Sequence, residues 1–102
     1  MKYLSGPISH DDKKIEQDNL AKFYLIEEML NARGARCINP ADQGASDNRT
    51  YEDYLVQDII LILAHRPDMY FMKGWQESRG ARLEHELAIQ LGLNIEYELT
   101  TL

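Results

Sequence analysis

The segment GWQESRGARLEHELAIQLG, residues 74–92, puts a carboxylate where a hydrophobic side chain is expected. Ser78 is of the type whose hydroxyl caps a helix by accepting a bond from an amide two or three residues on. Gly92 is a natural stop, so the pattern predicts a helix over 79–91. Ala81, Ala88 and Leu91 share one stripe of that helix, and Glu84 fills the gap in it. Such an acid is either a boundary residue whose stem packs while its head reaches water, or a functional group. The neighbourhood favours function: free amides at a helix N-terminus attract anions, and Gly80 in the first turn removes a side chain that would keep a ligand off the backbone. A second acid repeats the pattern. Tyr51, Tyr54, Leu55, Asp58, Leu61 and Ile62 fall on one face of a segment that Thr50 and Asp53 begin as a weak capping box. Two carboxylates of this kind suit nucleophilic and general acid–base work. The bland alternative is two boundary acids paired with Arg79 or Arg82.

The elements that must position these acids are legible in chain order. Met1–Ser5 is short and mostly apolar and runs into Gly6-Pro7-Ile8-Ser9, a strand delivering a tight loop, and ligands of open parallel sheets sit at such strand ends. Asp11 and Asp12 suit the N-terminal end of a long helix in which Leu20, Phe23, Ile26 and Leu30 form the apolar stripe before Gly34 stops it. Ala35–Ile38 reads as a second strand closed by Asn39-Pro40, and residues 41–49 as a polar surface loop, with a lid as one role for it. The run Ile59–Ala64 fits either a buried strand or part of a helix; the helical reading, extending to about His65, is preferred. Arg66-Pro67-Asp68 breaks that helix, Met69–Met72 is the third strand, and Asn94–Tyr97 the last, followed by a tail able to cross to a neighbouring subunit. Alternating strands and helices predict an α/β fold: one domain over residues 1–102, a small doubly wound, flavodoxin- or Rossmann-like parallel sheet of four to five strands with helices on both faces.

Composition narrows the function. With 102 residues and a formal charge of -6, the chain is suited neither to non-specific binding of nucleic acid nor to an anionic membrane surface, so any anionic ligand must be held by a local device. The apolar run Ile59–Ala64 is far too short to span a membrane, and the N-terminus begins with strand-like residues rather than a signal peptide, which predicts a cytoplasmic protein. Cys37 is the single cysteine, expected as a buried structural thiol, and His10, His65 and His85 lack metal-ligand spacing, so neither a metal nor an organic cofactor is expected.

YLSGPIS at 3–9, INPA at 38–41, Asp58 on the second long helix and GWQES-x-GA-x-x-E at 74–84 together resemble the nucleoside 2-deoxyribosyltransferase-like proteins, within them the short, often phage-borne branch. The resemblance spans nearly the whole chain. It implies that Glu84 attacks the anomeric carbon of a nucleoside or nucleotide, displacing the base to form a glycosyl ester. It further implies that Asp58 positions the sugar and handles the leaving base, and that Tyr3 orients the nucleophile. Cleavage of an N-glycosidic bond passes through an oxocarbenium-like state, for which such a pair is suited. The same resemblance makes Ser5, Gly6, Pro7, Ile8 and Ser9 of the first loop, with Ser78, Arg79 and Gly80, a substrate-binding surface. Ser78 stands where nucleoside-transferring members typically carry an aspartate and nucleotide-hydrolysing members a phosphate-contacting serine. This implies a nucleoside 5′-monophosphate as substrate.

Nucleotide-hydrolysing relatives often have an arginine where this chain has Ser9, so Arg79, Lys73 or a partner chain must supply that charge. Trp75 either stacks on a base or fills a core gap. His10 and His85 are expected to be solvated, His10 being the better catalytic candidate of the two. The leading expectation is therefore a nucleotide N-glycosidase acting as a homodimer or higher homo-oligomer. The alternatives are a base-exchanging deoxyribosyltransferase, a non-catalytic nucleotide-binding module, and a structural subunit with a vestigial pocket.

Overall fold

The computed structural model of the chain describes residues 1–43 and 50–99. Most of the loop expected over 41–49, and the end of the tail, lie outside them. The chain runs β1 (Lys2–Ser5), α1 (Lys13–Ala32), β2 (Cys37–Ile38), α2 (Tyr51–His65), β3 (Asp68–Phe71), α3 (Arg79–Leu91) and β4 (Ile95–Tyr97). All four strands are parallel, in the order β2-β1-β3-β4, with Lys2–Ser5 in register with Asp68–Phe71. This is the small doubly wound α/β sheet that the alternation of elements predicts.

Side chains alternate across the central strands, and the alternation builds two half-cores. Leu4, Tyr70 and Met72 face α1, where Phe23, Ile26 and Leu30 meet them. Tyr3, Met69 and Phe71 face the other way, against Ile62 of α2 and Ala88 of α3. One helix therefore covers one face and two cover the other. On the second face the residues of β1 nearest the carboxyl end of the sheet are Tyr3 and Ser5, both polar and both fully buried.

The helix starts are set by side chains. Asp12 accepts from the Lys14 amide at the head of α1, and Thr50 and Asp53 close a full capping box at the head of α2. Ser78 accepts from the Ala81 amide at the head of α3. Each such cap contributes about 1 kcal/mol. The stops are left-handed residues: Gly34 beyond α1, Arg66 with φ 45° at the end of α2, and Gly92 after α3.

Two sequence expectations are corrected, and the preferred helical reading of Ile59–Ala64 holds. The run Ile59–Ala64 is helical throughout, with Ile62 buried and Ile60 and Leu63 exposed, so it is no core strand. The second strand is shorter than 35–38, because the Ala35 amide is spent on the Leu30 carbonyl in closing α1 and only Cys37–Ile38 pair with β1. Cys37 itself is half-buried at this edge strand rather than enclosed.

Gly6 marks where β1 hands over to its loop. A Cβ there would lie 3.0 Å from the Cβ of Met72, a 1 % exposed residue that cannot retreat. Gly6→Ala is therefore expected to cost about 1–3 kcal/mol by overpacking, measured as a lowered denaturant midpoint at unchanged m-value. A midpoint equal to that of the wild type would show that the loop yields freely.

Candidate functional site

A doubly wound sheet opens a crevice where adjacent strands send their chains to opposite sides, here between β1 and β3 at their carboxyl ends. A cleft of about 960 Å³ lies there. Its walls are the loop after β1, the turn after β2, the inner face of α2, and the start of α3.

Glu84 forms the floor. It is 5 % exposed, on the stripe it shares with Ala81 and Ala88. Tyr3 Oη donates to one carboxyl oxygen at 3.1 Å and Ser5 Oγ donates to the other at 2.7 Å. The strand period explains the pairing: residues two apart on β1 point to the same face and reach the same carboxyl group. Asp58, on the inner face of α2, lies within hydrogen-bonding reach of both Glu84 and Tyr3. Gln43 Nε2 donates to Asp58 Oδ1 from the single turn of 3-10 helix at Pro40–Gln43.

Burial of two acids side by side determines their protonation. Desolvation first, and then the Asp58 charge, push the Glu84 carboxyl up to about 8, against the pull of the Ser5 and Tyr3 hydrogen bonds. Asp58 is raised by burial as well, opposed by bonds from Gln43, Glu84 and Tyr3. With Glu84 pushed to about 8 beside a second raised acid, the pair retains a proton at neutral pH. Two hydroxyls favour the charge on Glu84, and an amide favours it on Asp58, so neither position is strongly excluded. The same two acids, with burial as the larger cause, drive the Tyr3 phenol well above its usual range and keep it a donor.

Of the residues expected from sequence, Ser5, Gly6, Pro7, Ile8, Ser9, Ser78, Arg79 and Gly80 line the cleft with Asp58 and Glu84, and Tyr3 lies beneath them. Trp75 does not reach it. The left-handed Gly74, with φ 88°, turns the chain so that the indole stacks on His85 at 4.2 Å, against Phe71 and Tyr97. Of the two readings open for Trp75, base stacking or core filling, the packing is the one seen. His85 goes with it, its Nε2 2.6 Å from Tyr97 Oη. Lys73 also lies outside the cleft, exposed, with its amide bonded to Glu98.

Sequence reasoning missed Gln43 and Lys13, and read Tyr51 only as part of the face it shares with Asp58. Lys13, in the first turn of α1, and His10 bring positive or ionisable groups to the same wall as Ser9, and Arg79 stands over the Tyr51 ring at 5.6 Å. Gln43 was hidden in a stretch without periodicity. Its Oε1 is buried and has no hydrogen-bond partner among the described residues, although the residue lines the cleft. Among the described residues no three His, Cys, Asp or Glu side chains gather as metal ligands, and no helix is long and apolar enough to cross a membrane.

The raised Glu84 carboxyl makes a stability prediction. A folded pKa of about 8 against an ordinary 4.5 means that stability is fully present below pH 4.5 and is lost as pH rises through 8. Glu84→Gln keeps the shape and removes the titration. Its melting temperature relative to wild type is expected to climb between pH 5 and pH 9, read by calorimetry at both. A difference that stays constant with pH would mean that Glu84 is not a buried titrating acid.

With this geometry in place, comparison with known proteins is brief. No curated protein and no solved structure matches the chain. Over residues 1–97, however, it matches one family along nearly its whole length, and the chain belongs to the family described as Domain of unknown function (DUF4406).

Proposed function

We propose that this protein hydrolyses the N-glycosidic bond of a nucleoside 5′-monophosphate, releasing the free base and the sugar 5-phosphate. The observation that carries the reading is Glu84, buried at the floor of an open cleft with its carboxyl oxygens bonded by Tyr3 and Ser5, beside a half-buried Asp58. The resemblance of YLSGPIS, INPA and GWQES-x-GA-x-x-E to nucleoside 2-deoxyribosyltransferase-like proteins supports it from the sequence side.

The pair's single shared proton supplies both halves of the reaction. With the proton on Asp58, Glu84 is an anion whose oxygen attacks C1′ as the C1′–N bond breaks, and the Asp58 proton passes to the departing base nitrogen. The enzyme is left as a glycosyl ester of Glu84 with Asp58 ionised. Water then attacks C1′, Asp58 takes its proton, and the bond from C1′ to the Glu84 oxygen breaks. The pair returns to its starting charge. Tyr3 and Ser5, held at 0 % and 1 % exposure, keep the nucleophile aimed and stabilise its charge when the proton has moved to Asp58.

The 5′-phosphate fits the rim. The start of α3, with Ser78, Arg79 and Gly80, lines the cleft, and so does Lys13 of α1. With no arginine at Ser9, Lys13, which pairs with Glu16 at 3.3 Å, is in this reading a second cation for the phosphate. Gln43 Oε1, without a partner among the described residues, is in this reading the acceptor for a donor group on the base.

Incubation of the protein with a panel of nucleoside and deoxynucleoside 5′-monophosphates, resolved by chromatography, is expected to show free base. Glu84→Gln should lower turnover by about 10³-fold or more while leaving binding largely intact, because an amide cannot form the ester. Asp58→Asn should slow release strongly, and least for bases that depart without protonation. The wild-type rate should follow a bell whose alkaline limb lies near 8, where the pair loses its last proton, and whose acid limb lies where both acids are protonated. Full activity in Glu84→Gln, or no base released from any member of the panel, would overturn the proposal.

A further inference from the structure

Arg79 lines the cleft and has no carboxylate partner among the described residues. The other cations nearby are engaged: Lys13 pairs with Glu16 at 3.3 Å, and Arg82 gives an N–H to the Gln76 carbonyl at 3.3 Å. The two acids of the site do not draw on Arg79 either, since Glu84 is bonded by Tyr3 and Ser5 and Asp58 by Gln43. In a chain of formal charge -6, a guanidinium left without an acid at the wall of a cleft is available to an anionic ligand.

What Arg79 does have is a ring. Its guanidinium lies over Tyr51, 5.6 Å from the ring centre and within the range of cation–π attraction. Tyr51 is the first residue of α2 and Arg79 the first of α3, so the contact ties together the heads of the two helices that carry Asp58 and Glu84. Gly80 makes room for it, because a Cβ there would lie only 3.0 Å from Tyr51 Oη. Burial raises the Tyr51 phenol above its ordinary range, the Arg79 charge opposes this and the Glu84 charge adds to it. The ring therefore stands within electrostatic reach of both the cation and the acid on the floor.

Such an arrangement suits selection rather than bond breaking. An arginine free in solvent loses rotamers when it meets a ligand, and one already laid over a ring loses fewer. A carboxylate would consume the N–H donors of the fork. An aromatic face holds the guanidinium and leaves donors free for a phosphate. A nucleoside without a phosphate gains nothing from this.

We infer that Tyr51 is a positioning residue whose aromatic face holds the Arg79 guanidinium for the 5′-phosphate, and so sets the preference for a nucleoside monophosphate over the unphosphorylated nucleoside. The inference rests on the monophosphate reading of this cleft for the identity of its ligand. The ring carries the effect, and the hydroxyl does not.

Calorimetric titration with ribose 5-phosphate and 2-deoxyribose 5-phosphate, with the free sugars as controls, reads this device without any turnover. The wild type is expected to bind at least one of the phosphates and neither free sugar. Tyr51→Leu should weaken that binding about three- to tenfold, Tyr51→Phe should keep it within about twofold, and Arg79→Gln should weaken it by about tenfold or more. Adding Tyr51→Leu to Arg79→Gln should cost nothing further, because the ring acts through the guanidinium. Tyr51 is 38 % exposed, so these replacements leave the core intact, as an unchanged circular dichroism spectrum should verify. In turnover, Tyr51→Leu should lower kcat/KM for a monophosphate relative to its nucleoside by the same factor, mainly through KM. A merely structural role would lower both substrates alike. A wild type that binds neither phosphate, a Tyr51→Leu that binds as the wild type does, a Tyr51→Phe as weak as Tyr51→Leu, or a further loss in the double variant would each overturn the inference. Binding through Tyr51 and Arg79 with no base released from any nucleotide would overturn the hydrolase reading and leave this inference standing.

Discussion

A carboxyl group withdrawn from water beside another is the constraint that organises this molecule. Removing Glu84 from solvent is unfavourable unless its charge is neutralised or its oxygens are bonded, and the fold provides both remedies at once. Tyr3 and Ser5 occupy the two oxygens, and burial beside Asp58 raises the carboxyl's pKa so that it keeps a proton. Each remedy comes from a different element. The hydroxyls come from the central strand, the nucleophile candidate from α3 and the partner acid from α2. Gln43 holds that acid from the turn after β2. Four segments distant in sequence must therefore be in register before the acid can be buried stably. The rigidity that follows is useful, because carboxyl groups aimed by packed neighbours need little reorganisation when charge moves between them.

The strand order makes this convergence feasible. β1 and β3 pair over four residues, so the carboxyl ends of both central strands stop at the same level, Ser5 against Phe71. The chain leaves β1 toward α1 on one face and leaves β3 toward α3 on the other, and the space between the two departures is the cleft. Gly6 and Gly74 sit at these two departures. The first is pressed against Met72, and the second, in the left-handed region, approaches Pro7 at 3.5 Å when a Cβ is added. A side chain at Gly6 would press on Met72, whereas at Gly74 the contact is ordinary and the cost is the left-handed backbone.

Much of this was legible in the sequence because the physics was local. Helix caps at Asp12, Thr50 and Ser78, the stops at Gly34 and Gly92, and two acids lodged in apolar stripes all show themselves within a turn or two of chain. Glu84 stood out because an acid among Ala81, Ala88 and Leu91 breaks a pattern. Gln43 broke none: it lies in irregular backbone, where no period exists to be violated, and its meaning depends on Asp58, fifteen positions away. Lys13 was equally silent, since a lysine at the head of a helix has many uses. Trp75 stayed undecided for another reason: its partners His85 and Tyr97 lie ten and twenty-two positions on, beyond the reach of a local pattern.

The ambiguity of Ile59–Ala64 has a different origin. A six-residue aliphatic run erases helical periodicity, and a helix packed on one side only would have no reason to erase it. In α2 the inner face must be apolar to meet Tyr3 and Phe71 through Ile62, while the outer face is apolar without any described covering element. The pattern is blurred because two separate demands act on the same fifteen residues. The acids at one end and the basic residues at the other fit the helix's own dipole, which favours negative charge at its start and positive charge at its finish. That polarity would be present with or without a partner. What the dipole does not account for is Val56, Ile60 and Leu63 turned outward between those charged ends. Exposed side chains of this size at helical spacing gain nothing from solvent, so their outward face, rather than the charges that bracket it, is the feature that calls for a covering surface.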